Sequence, residues 1–319
     1  MHIHWLAPQP FENIHALYAT PLASLRLRAG ALLSVLPQGA LLTAGPHIPA
    51  QAQVCVVGKI GVGDLAQRQT QWLHEIQAFQ GKVVLDFTDD HVSSPSSMSA
   101  FYLQALHHTD WAVCASTLLK ARLAQVYPGP IHVIADAIEC PLIPPKPKPS
   151  PPLQLLWFGH TTNLPTLIDF LPSIDQPASL HILTNASGVQ QIKSMPAQAT
   201  HLTLAPGLWS TQAMVKTALR CHLCIIPVGM DNLKKAGVSS NRLLTALALG
   251  LPTCADKVDS YLPFKDSFGD LRSSEFADML AAPTLWHERV QQAQDQVLPK
   301  YAFQALGKQW LDLLTSIAP

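Results

Sequence analysis

Three stretches of this 319-residue chain bring together residue types that could do chemistry. The first is Lys234-Lys235-Ala236-Gly237-Val238-Ser239-Ser240-Asn241-Arg242, which runs into LLTALALGLP. Ser239 or Ser240 suits a helix N-cap, Gly250 suits the C-terminal stop, and Pro252 prevents continuation. Two lysines, small hydroxyls and Arg242 therefore gather at a helix N-terminus, where free N–H groups and the helix dipole favour an anion. Arginine and lysine add charge and donors suited to a diphosphate. A capped helix beside a solvated basic loop is the plainer alternative.

The second stretch is Trp157-Phe158-Gly159-His160-Thr161-Thr162-Asn163, between an apolar strand and a helix. Gly159 lets the backbone turn and come close to a ligand. The groups of Gly159, His160, Thr161 and Thr162 would face the carboxyl end of a sheet, where open α/β sheets bind ligands. An ordinary turn with Thr162 or Asn163 as a helix cap competes with that reading. The third stretch, Val83-Val84-Leu85-Asp86-Phe87-Thr88-Asp89-Asp90-His91, starts as a buried strand and ends in acids and a histidine. Asp89 or Asp90 could take a proton from an acceptor hydroxyl, and His91 could share that role or bind a sugar. Adjacent like charges could raise one acid's pKa. The alternative is a turn whose aspartates cap the backbone.

Other positions have weaker claims. Arg26 and Arg28 alternate in Leu25-Arg26-Leu27-Arg28 and could bind phosphate or acceptor, or lie on a solvated helix face. Lys59 follows a strand ending at Val57 and could reach the same place. Trp209, after Pro206-Gly207, could stack on a base or be buried in the core. Cys221-His222-Leu223-Cys224 reads as a buried strand, because no second ligand pair stands at zinc spacing.

These groups need elements to hold them. Short apolar runs at Ile3–Leu6, Val54–Val57, Val83–Asp86, Trp111–Ala115 and Ile131–Ala135 read as parallel strands buried on both faces. Helices are predicted over Gly63–Gln80, Ser99–His107 and Thr117–Val126, the last with Ser116 or Thr117 as its cap. Pro141–Pro152 (PLIPPKPKPSPP) can be neither helix nor central strand and reads as a semi-rigid linker, or as a loop within one domain. The alternation then restarts. Strands are predicted at Leu153–Phe158, Leu180–Thr184, His201–Leu204, His222–Pro227 and Pro252–Ala255. Helices are predicted at Leu164–Leu171, Thr211–Leu219, Asn241–Leu249 and the amphipathic Trp286–Ile317.

The expected fold is α/β, with two Rossmann-like domains facing a cleft. The N-terminal domain is expected over 1–142, the linker over 143–152 and the C-terminal domain over 153–295. The helix over 296–319 is expected to pack back on the N-terminal lobe.

Composition agrees with a folded two-domain chain. It is 48% apolar and 13% charged, enough to bury a core and unlike a disordered chain. Lys and Arg total 21, as do Asp and Glu, which argues against a nucleic-acid partner or a strongly anionic membrane. A nucleotide remains open, since a phosphate site needs only local donors. The start lacks a signal-peptide pattern, and no apolar run reaches the roughly 18 residues of a membrane span. Six scattered cysteines fit reduced thiols. A cytoplasmic protein with at most peripheral membrane contact is expected.

The C-terminal half resembles GT-B glycosyltransferases of the glycosyl transferases group 1 (GT4-like) type. The resemblance rests on LLWFGHTTN, CHLCIIPV, and SSNRLLTALALGLPTCA followed by Tyr261. In the first half, ASLRLRA, VVLDFTDDH, WAVCASTLLKARL and VIADAIECP match a bacterial subgroup. The resemblance spans about residues 20 to 310, and SNRLLTALALGLP is its most specific part.

It implies sugar transfer from a nucleotide-sugar donor, usually without a metal ion or other cofactor and with retention of configuration. The acceptor would be a saccharide, a lipid-linked glycan or a protein. Gly159 to Thr162 and Ser240 to Arg242 would line the diphosphate, with Lys234, Lys235 and Ser239 beside them. Asn185, Leu208, Trp209 and Thr245 would lie toward ribose and base. The family commonly has a glutamate where Thr245 stands, and the earlier acid of that loop is also missing from Ala236 to Ser239. Two alternatives are a catalytically silent GT-B-like binding or scaffold subunit, and another two-Rossmann enzyme such as a nucleotide-sugar epimerase or an NAD-dependent oxidoreductase. The glycine spacing of Gly58 to Gly63 does not fit a dinucleotide fingerprint.

Overall fold

The computed structural model describes residues 1–60, 65–93, 96–147, 152–195, 201–229 and 237–318. The chain divides into two compact units. Unit 1 comprises Met1–Ala137, Gly237–Ser239 and Lys300–Pro319. Unit 2 comprises Ile138–Ala236 and Ser240–Pro299.

Unit 1 is built on a six-stranded sheet. Its strands are β1 (His2–Leu6), β2 (Leu41–Gly45), β3 (Val54–Val57), β4 (Lys82–Phe87), β5 (Trp111–Cys114) and β6 (Ile131–Val133), in the order β2-β1-β3-β4-β5-β6. Every pairing is parallel. Apolar residues, valine above all, dominate β3 (VCVV) and β4 (KVVLDF), as strands covered on both faces require. A π-helical turn at Leu25–Ala29 continues into α1 (Gly30–Leu33). Helices α2 (Leu65–Ala78), α3 (Ser99–Leu106) and α4 (Thr117–Leu123) follow. Ser116 caps α4 by accepting from the Leu119 amide at 3.2 Å.

Unit 2 repeats the plan. Its strands are β7 (Leu153–Phe158), β8 (Ala178–Thr184), β9 (Leu202–Leu208), β10 (Leu223–Ile226), β11 (Thr253–Ala255) and β12 (Gly269–Asp270), in the order β12-β11-β10-β7-β8-β9, again all parallel. Its helices include α5 (Leu164–Phe170), α6 (Ala186–Lys193), α7 (Thr211–Ala218), α8 (Asn241–Ala248), α9 (Ser274–Ala281) and α10 (His287–Gln296). Strand β9 runs through Pro206 to Leu208, four residues beyond the predicted end. It lies at the sheet edge, where a missing N–H costs no ladder bond.

The long helix expected over Trp286–Ile317 is two helices. Pro299 falls in a 3₁₀ turn, Leu298–Tyr301, between α10 and α11 (Phe303–Ile317). Helix α11 belongs to unit 1 and packs there: Trp310 meets Trp5 edge-on, ring centroids 5.0 Å apart. Gly307 permits the approach, because a Cβ on it would fall 2.1 Å from the Ala31 carbonyl oxygen. Among the described residues, no helix is long and apolar enough to cross a membrane.

Candidate active site

In unit 2, the loops after β7 and β8 meet at the carboxyl end of the sheet. The Gly159 amide donates to the Leu183 carbonyl at 3.1 Å, which joins the two strand ends. Beyond it, the His160 ring accepts from the Thr162 amide at 3.3 Å and caps a short 3₁₀ turn, Thr161–Asn163. Asn185 caps α6 by accepting from the Gly188 amide at 3.4 Å. The Thr161 hydroxyl donates to Asn185 Oδ1 and lies 3.0 Å from Ser187 Oγ. Asn185 Nδ2 lies 3.3 Å from His160 Nε2. His160, Thr162, Asn185 and Ser187 are exposed, so this side-chain network faces solvent. Asn163 takes the N-cap position of α5, one of the two residues expected there, but makes no side-chain cap hydrogen bond; His160 caps the 3₁₀ turn before it.

Gly159 is the centre of this end. A Cβ on it would lie 3.1 Å from the Trp157 ring and 3.4 Å from Arg242 Nη1. The missing side chain thus lets the backbone of Gly159 come close to both the Trp157 ring and the guanidinium. Arg242 is the second residue of α8. Ser240 takes the N-cap position, yet its side chain makes no cap hydrogen bond, so it satisfies none of the first-turn amides. Arg242 Nη1 is buried and has no hydrogen-bond partner among the described residues. A buried donor left unpaired costs about 1–3 kcal/mol. An anion that reached this donor would satisfy it.

The remaining residues expected in this half fall around that point. Trp209 is half-buried at the end of β9, its amide donating to the Thr184 carbonyl at 2.8 Å, and Leu208 beside it is exposed. Thr245 is buried in α8, three residues after Arg242. Asn241 opens the helix. Ser239 groups with unit 1, whereas Ser240–Pro299 belongs to unit 2. Lys234 and Lys235 lie outside the described residues.

Sequence reasoning missed one acid here. Asp256, fully buried after β11, accepts from the amides of Val228 and Gly229 at 2.7 and 3.3 Å. It also accepts from Arg272 Nε at 2.7 Å. It therefore fixes the turn that leaves β10, where Gly229 adopts φ +80°. The signal that marked Asp89, an acid directly after an apolar strand, is equally present in Thr253-Cys254-Ala255-Asp256.

The carboxyl end of the unit 1 sheet is different, and three expectations need correcting. Arg28 does not reach toward a phosphate. It is fully buried, donating from Nε to Asp86 at 2.7 Å and from Nη1 to Asp136 at 3.1 Å and the Ile134 carbonyl at 2.7 Å. Its guanidinium also lies over the Trp310 ring at 5.1 Å. Burial pushes the Asp86 carboxyl pKa up, against the pull of Arg28. Arg26 is buried too, donating to the Thr20 carbonyl at 2.6 Å. The π-helical turn carries both arginines inward, where the alternating pattern had suggested a projecting pair.

Asp90 is the third correction. Its side chain is buried, paired with Arg122 at 2.6 Å and bonded by the amides of Val92 and Ser93 at 3.2 and 2.9 Å. Burial raises its pKa, but the Ser93 amide, Arg122 and the Val92 amide outweigh it and hold the carboxyl below its usual range. This is the backbone-capping role. Asp89 differs: it pairs with Lys59, and both side chains remain more than a third exposed. His91 is buried, stacked on Tyr102 at 4.7 Å with its Nδ1 3.2 Å from Ser96 Oγ. Among the described residues, no group of three or more His, Cys, Asp or Glu could hold a metal ion. Cys224 is simply part of β10.

No family model matches this chain, and no curated protein matches it. Solved structures do. The Anabaena protein HepE in complex with UDP and glucose is 12% identical, with a TM-score of 0.64 and coverage of 99% of this chain and 100% of that one. An alpha-glucosyltransferase in complex with UDP is 11% identical, TM-score 0.63, with coverage of 99% and 100%. An alpha-glucosyltransferase with UDP and a 13-mer DNA containing a HMU base is 13% identical, TM-score 0.64, with coverage of 99% of each chain. With two parallel six-stranded sheets matched over the full chain, the protein has the GT-B glycosyltransferase fold.

Proposed function

We propose that this protein is a glycosyltransferase that moves a sugar from a nucleotide-sugar donor to an acceptor hydroxyl. The donor diphosphate would lie in unit 2, between Gly159 and the N-terminus of α8. The supporting observation is Arg242 Nη1, buried beside Gly159 without a hydrogen-bond partner among the described residues. A phosphate oxygen would satisfy that donor, and the first-turn amides that Ser240 leaves uncapped would add to it.

As the bond from the sugar to the diphosphate breaks, negative charge grows on the leaving phosphate. A cation already in place stabilises that charge without reorganising. This chemistry needs no metal ion, and retention of configuration is the outcome the resemblance implies. Trp209 and Asn185 stand at adjacent strand ends for base and ribose. Thr245 offers one hydroxyl where the family's acid would accept two bonds.

The similar structures that contain UDP or UDP-glucose make uridine the first nucleotide to test. The DNA held by one of them is not carried over. With 21 basic and 21 acidic residues, this chain has no excess positive charge with which to neutralise a phosphate backbone. A saccharide, lipid-linked or protein acceptor fits better. Asp89, partly exposed beside Lys59, would be the carboxylate that takes the proton from the acceptor hydroxyl.

The test is a thermal-shift screen against UDP, GDP, ADP, CMP and their sugars. A ligand at a hundredfold excess over its dissociation constant adds about 2.7 kcal/mol to the native state. Stabilisation by one nucleotide and its sugar supports the reading. No response to any of them overturns it.

A further inference from the structure

The carboxyl end of the unit 1 sheet holds one guanidinium between two carboxyl groups. Arg28 donates from Nε to Asp86 Oδ1 at 2.7 Å and from Nη1 to Asp136 Oδ1 at 3.1 Å. With both acids ionised, the cluster would carry one negative charge in excess. The Asp86 side chain is 0% exposed and that of Asp136 is 9% exposed, so solvent reaches only the second. Asp86 Oδ2 and Arg28 Nη2 are buried with no hydrogen-bond partner among the described residues. A carboxylate oxygen buried without a donor costs more than a neutral hydroxyl in the same place. The excess charge is therefore removed most cheaply by a proton on Asp86.

The neighbouring groups do not supply the missing positive charge. Arg26, on the same turn as Arg28, donates to the Thr20 carbonyl at 2.6 Å. Asp89, two residues beyond β4, adds repulsion. Cys114 on β5 and Tyr102 on α3 also feel Asp86, but burial pushes both up, the thiol to about 12, so both stay neutral. The Trp310 ring of α11 covers the guanidinium at 5.1 Å.

We infer that Asp86 is a proton-binding switch of unit 1. As the neutral acid it completes a charge-balanced cluster with Arg28 and Asp136, and on losing its proton it leaves one buried negative charge in excess and weakens that end of the fold. Burial pushes the carboxyl up to about 7, with Arg28 pulling it down and Asp136 pushing it further up. An unfolded aspartate titrates at about 4. A carboxyl raised in the folded state adds stability that is full below the unfolded value and is lost as pH rises through the folded one. The loss therefore runs from about pH 4 to about 7 and is complete above that window.

Urea unfolding of the wild type and Asp86→Asn between pH 5 and pH 9 tests it, because the amide has the shape of the neutral acid and cannot ionise. Every other group titrates in both proteins and cancels in the comparison. Relative to Asp86→Asn, the wild-type folding constant is expected to fall about a hundredfold from pH 5 to pH 9, most of it below about pH 7.5. A ratio that stays flat, or that moves the other way, overturns the inference. In an Asp136→Asn background Arg28 serves Asp86 alone, and the same comparison is expected to give a smaller fall; an equal fall overturns the shared guanidinium as its cause. Should Asp86→Asn fail to fold, carbon-13 titration of the wild-type aspartate carboxyls decides. One of them is expected to titrate near pH 7 and to move lower in Asp136→Asn, and titration of all of them below about pH 5 overturns the inference.

Discussion

The two units carry the same parallel sheet but use its carboxyl end in opposite ways. In unit 1 the buried charges are spent internally: Arg28 on Asp86 and Asp136, Arg122 on Asp90. In unit 2 a buried guanidinium nitrogen of Arg242, beside Gly159, has no partner among the described residues. A charge paired within the fold specifies structure, and one held ready without a partner is available to a ligand. An arginine near the carboxyl end of a sheet therefore signals binding only when its surroundings leave part of it unsatisfied. Sequence position cannot distinguish the two cases, but burial and partners can.

The contrast can be broken first at Arg28. Arg28→Met would leave two carboxylates in the core of unit 1 without their counter-charge, and a loss of about 3–5 kcal/mol is expected in urea unfolding. A loss below about 1 kcal/mol would show that this network is not what holds that end together.

A second test uses pH. The His4 ring bonds Thr43 Oγ1 at 2.9 Å and the Gly45 carbonyl at 3.2 Å. Burial lowers its pKa to about 4, outweighing the pull of that carbonyl. Below about 6.5 the unfolded chain takes up a proton that the folded ring refuses. This group's contribution to stability is therefore full above pH 6.5 and is lost as pH falls toward 4. At about 1.4 kcal/mol per pH unit, the total is about 3 kcal/mol. His4→Gln should flatten that part of the stability profile, and an unchanged slope would assign it elsewhere.

The smallest expected effect sharpens the unit 2 side. Gly159→Ala places a methyl within 3.1 Å of Trp157 and 3.4 Å of Arg242 Nη1. Urea stability should change little, while UDP binding weakens roughly fivefold, about 1 kcal/mol. Unchanged affinity would move the phosphate away from Gly159.

Much of the fold was legible in the sequence because buried parallel strands are apolar runs. β3 and β7 fall on their predicted limits. Edge strands gave less signal: β2 begins with an exposed leucine, and β12 is two residues long. Helix α6 went unread because Ala186-Ser187-Gly188 looks like a turn, whereas Asn185 caps it as a helix.

In the site, Gly159 and Arg242 were legible from local pattern, since a strand–glycine turn and a helix start are both short-range features. The partners of Arg28 and Asp90 were not. Arg28 meets Asp86 and Asp136 across 58 and 108 residues, and Asp90 meets Arg122 across 32. The latch of Asp256 with Arg272 and the Val228 amide is likewise set by tertiary contact.

The most direct test of the central claim is calorimetric titration of UDP and UDP-glucose into the wild type and Arg242→Gln, with urea unfolding of both. The expected result is saturable binding to the wild type, weakened by about tenfold to a hundredfold in Arg242→Gln, at unchanged stability. Equal binding by the two proteins would contradict the assignment of the diphosphate to Arg242, and binding by neither would contradict a uridine-nucleotide donor.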